Sequence, residues 1–323
     1  MTAVSASPAS AHPTRDTVLA DEARAAMRAA PERTYVSAAG QAVRVSSAAF
    51  TEVEIRPLVE TLTSFPHGEE LSALRLYVAT PSELDRACGS RAMACYDPYA
   101  ERIFISGMPD QSSGVPRDFV LAHEYGHHVA NHRANSPWWA LEWGPKRWAT
   151  EMGVCEGVKA GELHPGDQGA HYWSNPGEGF AQAYAHMVYP SATVPWYYDA
   201  RLAPDAEAIA AVRLDVSHPW RGPALVRPTL RLGSRFRTKV VTLSTPLDGR
   251  MRVWVTERGG REVTIRLLAA DGPRVLARST DSGSREKLSF DVCGEERVRL
   301  KLRARRGAGR FVGGKFVVWV RRP

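Results

Sequence analysis

Two periodicities divide the chain. Beyond Pro228, apolar and polar residues alternate in the runs "TKVVTLS", "MRVWVTE", "REVTIRLLAA", "ERVRLKLRA" and "KFVVWV", punctuated by the turn signals "LDG", "ADG" and "DSGS". A period of two puts successive side chains on opposite faces of a strand, and strands at this spacing predict a two-sheet sandwich. Upstream the pattern is mixed. "LRLYVA" (74–79) and "RIFISG" (102–107) read as strands, with a short helix after Pro81 between them. "TVLADEARAAMRAA" (17–30) favours a helix that Pro31 stops. A further helix is predicted to begin near Pro116 and carry "FVLAHEYGHHVANHR" (119–133), and another follows the Trp-rich segment 138–148 as far as Cys155. Asn175-Pro176 is a helix-start signal for "NPGEGFAQAYAHM", and a short helical segment is read at 204–213.

These elements predict a disordered leader (1–15), an α+β domain (16–190), a proline-punctuated linker or bracing segment (191–227) and an all-β, jelly-roll-like sandwich (228–323). Two domains suit a length of 323 residues, and 44% hydrophobic with 24% charged is ordinary globular composition. No apolar run approaches the ~20 residues needed to span a bilayer.

Charge sharpens the division. The net +7 is the balance of −8 over residues 1–223 and +15 over 224–323. In "RVRLKLRAR" (297–305) basic residues alternate with Val298, Leu300 and Leu302, so one strand face is cationic. Such a face suits an anionic cell-surface polymer, serves solubility, or docks onto the acidic first half of the chain. Without interleaved aromatics it is not a nucleic-acid platform. Cys88 and Cys95 enclose a loop that a disulfide would close, leaving Cys155 and Cys293 as a second pair. The even count and the small-residue tail Ala9-Ser10-Ala11 point to an exported, extracellular protein.

The chemistry concentrates in "HEYGHH". His123 and His127 stand four apart, so both rings leave one helix face and can meet one ion, while Glu124 sits where a general base acts on a water. At 100° per residue, His128 and His132 lie roughly 140° and 180° around the helix from His123, too far to share it, and read as surface or supporting residues. A compact three-histidine site would need glycine at 130 and histidine at 133. Ala130 and Arg133 stand there instead. His164, Asp167 and His186 are the remaining nearby candidates. His186, Asp167 or Asn175 could alternatively orient a ligand histidine.

The segment containing Asn175, Glu178, Phe180 and Ala181, 51 residues beyond His127 at its glutamate, resembles the second metal helix of gluzincin peptidases, specifically the lethal-factor-like and Pro-Pro-endopeptidase-like families. That resemblance covers residues 70–190. It implies a zincin-like fold, Glu178 as third ligand, Zn²⁺ as cofactor, and a secreted metallopeptidase acting on protein or peptide substrates. In those families a tyrosine seven residues before the glutamate assists the oxyanion. Here that position is His171, followed by Tyr172, and either side chain can donate a hydrogen bond. "RIFISG" is then a plausible edge for an extended peptide. "TPLDG" (245–249), "VCG" (292–294) and "GKFVVWV" (314–320) resemble the bacterial pre-peptidase C-terminal domain. Two other readings stand beside the peptidase: a non-catalytic metal-containing binding protein, against which an intact Glu124 argues, and a zinc hydrolase of non-peptide amides such as cell-wall cross-links.

Overall fold

Strand pairing in the first half alternates between hairpins and crossovers. In a computed structural model, which describes residue 27 and residues 30–90, 92–108, 114–194, 199–233, 237–256, 263–279, 285–304 and 314–323, strands β1 (Arg33–Val36) and β2 (Ala42–Ser46) form an antiparallel hairpin turned at Gly40, whose φ of 83° suits glycine. β2 pairs in parallel with β3 (Arg75–Ala79), and β3 in parallel with β5 (Arg102–Ser106). Parallel neighbours require crossovers, supplied by helix α1 (Glu52–Ser64) and by α2 (Pro81–Cys88) with β4 (Ala94–Asp97). Both helices begin with a capping box, Thr51 with Glu54 and Thr80 with Glu83, each contributing about 1 kcal/mol. The sheet order is β1-β2-β3-β5-β4, with β4 antiparallel to β5.

The strand 102–106 is therefore interior, flanked on both sides, and the sheet edge is β4. The expectation that "RIFISG" forms an edge is corrected: the intervening "ACYD" folds back and occupies that position. β1, β2 and α1 belong to no element predicted from the pattern. The predicted leader, its cleavage-like tail and the helix at 17–30 lie outside the described residues, apart from Met27 and Ala30.

Helix α3 (Arg117–Asn131), started after Pro116, packs with Tyr125 and Val129 in the core that also holds Leu76, Ile103 and Phe180. The two-residue strands β6 (Ala134–Asn135) and β7 (Trp138–Trp139) and three short helices follow, α4 (Ala140–Trp143), α5 (Lys146–Glu151) and α6 (Val154–Ala160), then α7 (Pro176–Val188) and α8 (Ala206–Ser217). Asp215 of α8 accepts from the Arg147 and Trp148 N–H groups, capping α5 and placing α8 in the first of two units: Met1–Ala134 with Trp139–Trp220, and Asn135–Trp138 with Arg221–Pro323.

The second unit is a sandwich. One sheet runs β10-β15-β12-β13 (Thr238–Ser244, Arg297–Ala304, Val263–Ala269, Val275–Arg278). The other runs β14-β11-β16-β8 (Arg285–Val292, Gly249–Thr256, Gly314–Arg322, Ala224–Val226), with β9 (Thr229–Leu232) also pairing β16. Alternate residues of both sheets, among them Val253, Leu267, Leu300 and Val318, bury into one core, as the period-two pattern requires. Cys88 and Cys95 are joined with Cα atoms 5.8 Å apart; Cys155 and Cys293 are disulfide-bonded as well, and no thiol is free. Among the described residues no helix is long and apolar enough to cross a membrane.

Candidate metal centre

The site is built where α3 and α7 cross, and glycine sets how closely they can approach. A Cβ added at Gly126 would lie 2.9 Å from the Ala181 Cα and 3.0 Å from the Tyr184 Cβ, so only a bare backbone fits between His123 and His127 at this crossing. Ala181 lies three residues, just under one turn, beyond Glu178, and the contact carries that carboxylate to the two imidazoles.

His123, His127 and Glu178 are all buried and each offers a ligand atom to one cluster. The two Nε2 atoms are 3.2 Å apart, and Glu178 Oε2 stands 3.3 Å from His123 Nε2 and 3.5 Å from His127 Nε2. Nitrogen and oxygen ligands bound at about 2.0–2.1 Å around a tetrahedral ion are about 3.3–3.4 Å from one another. The triangle thus has the dimensions of three corners of such a shell, and this buried group can hold a metal ion. Glu124, next to His123, is wholly buried in the same helix.

The segment between α6 and α7 completes the surroundings. The Asn175 side chain caps α7 by accepting from the Gly177 N–H; the same oxygen accepts from Gly166 N–H, and its amide donates to the Asp167 carbonyl. So stitched, the loop delivers two donors to the Glu178 carboxylate. Tyr172 Oη donates to Glu178 Oε2 at 2.9 Å, and Gln168 Nε2 donates to Oε1 at 3.2 Å. Gln168 escaped the sequence reading, because no spacing rule marks an amide ten residues before a ligand. Of the two oxyanion candidates, only Tyr172 meets the cluster. His171 is exposed and its ring stacks on His164 at 3.8 Å, while His164 Nδ1 lies 3.0 Å from Ser174 Oγ.

The other polar candidates take different places. Asp167 Oδ1 accepts from the Gly169 and His171 N–H groups, and those bonds hold its carboxyl below the usual range. His186 packs edge-on against Phe119, with Gln182 Nε2 3.2 Å from its ring; burial, then the neighbouring His123, lowers its pKa. Asn175 bonds the loop, as described above, rather than a histidine.

His128 departs from the expected surface position. It is fully buried, donates from Nε2 to the Glu70 carbonyl at 2.8 Å, and accepts at Nδ1 from Tyr96 Oη at 3.0 Å. Burial pushes its pKa down to about 4. His132, exposed, pairs with Glu101 at 3.1 Å. Arg133, the residue that breaks the three-histidine pattern, is a clamp: Nη1 meets Glu70 Oε2 at 3.0 Å, while Nε and Nη2 donate to the carbonyls of Asp215 and Val216. Tyr125 Oη and the Gly68 N–H donate to the other Glu70 oxygen. Burial raises the Glu70 carboxyl, but the Arg133 guanidinium and these bonds outweigh it and the net shift is downward.

Comparison with known proteins leaves the family open. No family model and no curated protein matches the chain. Among solved structures, similarity extends to the pre-peptidase C-terminal domain of a collagenase from Bacillus anthracis (17% identity, 30% of this chain and 88% of that one, TM-score 0.25). It extends also to the Yersinia pseudotuberculosis-derived mitogen (9%, 31% and 87%, TM-score 0.25). A third is PliG of Aeromonas hydrophila, a periplasmic inhibitor of g-type lysozyme (12%, 31% and 85%, TM-score 0.23). Each likeness is confined to about a third of this chain.

Proposed function

We propose that the first unit is a zincin-like metallopeptidase domain and that the protein is a secreted zinc endopeptidase. The observation that carries the reading is the buried triangle of His123, His127 and Glu178 at 3.2–3.5 Å, with a buried glutamate directly following the first histidine. Two imidazoles and one carboxylate with a position left over are the donor set of catalytic Zn²⁺ sites. A zinc ion bound there would polarise a substrate carbonyl and acidify a water.

The chain's own residues supply the rest. The Glu124 carboxylate accepts the proton of the attacking water and returns it to the leaving amine nitrogen. Tyr172 Oη keeps its proton and gives Glu178 Oε2 a hydrogen bond; on release from that oxygen it can donate to the oxyanion that forms at the scissile carbonyl. Gln168 holds the second Glu178 oxygen and so fixes the carboxylate's orientation. The disulfide-bonded cysteines favour an oxidising, extracellular setting for this chemistry.

The test is Glu124→Gln. Zinc content should stay at the wild-type level while cleavage of a peptide library falls by at least ~10²-fold, the contribution of a positioned general base. Full activity in this variant would refute the mechanism. Cleavage of cell-wall amide cross-links, and of no peptide, by the wild-type protein would move the substrate class to the non-peptide alternative.

A further inference from the structure

The outer face of the β10-β15-β12-β13 sheet sets like charges directly against one another. β15 presents Arg297, Arg299, Lys301 and Arg303 on the face opposite its buried Val298, Leu300 and Leu302. In the register across the sheet, Arg266 of β12 stands opposite Lys301 on one side and opposite Arg278 of β13 on the other. Like charges directly opposite on neighbouring strands destabilise a sheet. The strand positions sharing this face, Thr238, Val240, Thr242, Ser244, Thr264 and Leu268 among them, hold no carboxylate and no aromatic ring. Arg299 is tethered to the Ala269 and Gly272 carbonyls, whereas Arg278, Arg297 and Arg303 are exposed and Arg266 and Lys301 half-exposed. The sheet therefore maintains a lattice of cations about 6.8 Å apart along a strand and about 4.8 Å apart across it, ringed by hydroxyls.

We infer that this face binds an extended, hydroxyl-bearing polyol-phosphate polymer, the charged groups of its repeats lying over the Lys301–Arg266–Arg278 row and its hydroxyls meeting the threonines and Ser244. The occupant follows from the chemistry of the face. Closely spaced cations need a polyanion, because a single small anion neutralises only one neighbouring pair. A flat, ring-free surface offers nothing for bases to stack on, which disfavours single-stranded nucleic acid. Its exposed large apolar side chain, Val240 opposite Lys301, is a single valine among cations and falls short of the continuous apolar face by which a protein seats itself in a lipid interface. The hydroxyl border suits a polymer that is itself rich in hydroxyls. The inference concerns the second unit alone and does not depend on any hydrolytic activity in the first.

The experiment measures binding of the full chain to poly(glycerol phosphate) teichoic acid, with oligothymidylate and phosphatidylglycerol vesicles as competitors, across a range of salt. Binding to the teichoic polymer should weaken with salt. In Arg266→Thr/Lys301→Thr it should fall at least ~10-fold, with the log–log salt slope reduced by roughly one to two. Thermal unfolding separates this loss from damage to the fold. Lys301→Glu, which places an acid opposite Arg266, should raise the melting temperature while weakening the polymer. Undiminished binding in the double variant, or equal or tighter binding to oligothymidylate or vesicles, overturns the inference. A lower melting temperature in Lys301→Glu removes its premise of unrelieved repulsion.

Discussion

Helix α3 buries polar side chains on two faces, and the two are built on opposite rules. On one, His128, Tyr125 and Arg133 meet Glu70, Tyr96 and the carbonyls of Asp215 and Val216, so that donors face acceptors and the network closes on itself. On the other, two imidazole nitrogens and a carboxylate oxygen converge at 3.2–3.5 Å. Three electron-rich atoms so placed are stable only with a proton or a cation among them. Buried histidines therefore do not by themselves mark a metal site; what distinguishes one is that the groups around them are acceptors too.

Breaking the closed face should produce the largest effect. Arg133→Met leaves Glu70 buried without its cation, which typically costs about 3–5 kcal/mol. Chemical denaturation should show that loss, while zinc stoichiometry stays at wild type in protein kept folded. A variant that loses zinc in proportion to stability would mean the two faces are one cooperative unit. Disturbing the open face should do the reverse on a smaller scale. Tyr172→Phe and Gln168→Ala, which remove the donors to Glu178, should each weaken zinc binding about 10–100-fold, read by competition with a chelator, with little change in the unfolding midpoint.

The smallest effect is a change of slope with pH. Because the folded-state pKa of Glu70 is depressed, its contribution is present above the unfolded carboxylate range and is lost as pH falls through the folded value. Stability measured from pH 5 downward should therefore decline, and Glu70→Gln should decline less steeply. An identical slope would remove Glu70 from the acid response.

The same contrast explains what could be read from the sequence. The convergence of His123, His127 and Glu178 was legible because a helical repeat and a short local resemblance bring metal-capable side chains together without knowledge of the fold. The sandwich was legible because period-two alternation belongs to each strand separately. Helical angles also kept His128 and His132 out of that group, as the geometry has it. Arg133 registered only as a mismatch, since its carbonyl partners lie 82 and 83 residues further on. The burial of His128 was invisible for the same reason, its acceptor being 58 residues upstream. The strand at 102–106 was taken for an edge because the segment covering it precedes it in the chain.

Asn175 ties the entrance of the site to its foundation. Its one amide group holds the loop at Gly166 and Asp167 and the first turn of α7, and Glu178 sits within that turn. Swinging the loop aside uncaps the helix, and fraying the helix releases both the loop and the ligand. The loop and the placement of Glu178 thus share one latch, and a protease probing residues 161–175 would report on the integrity of the whole cluster.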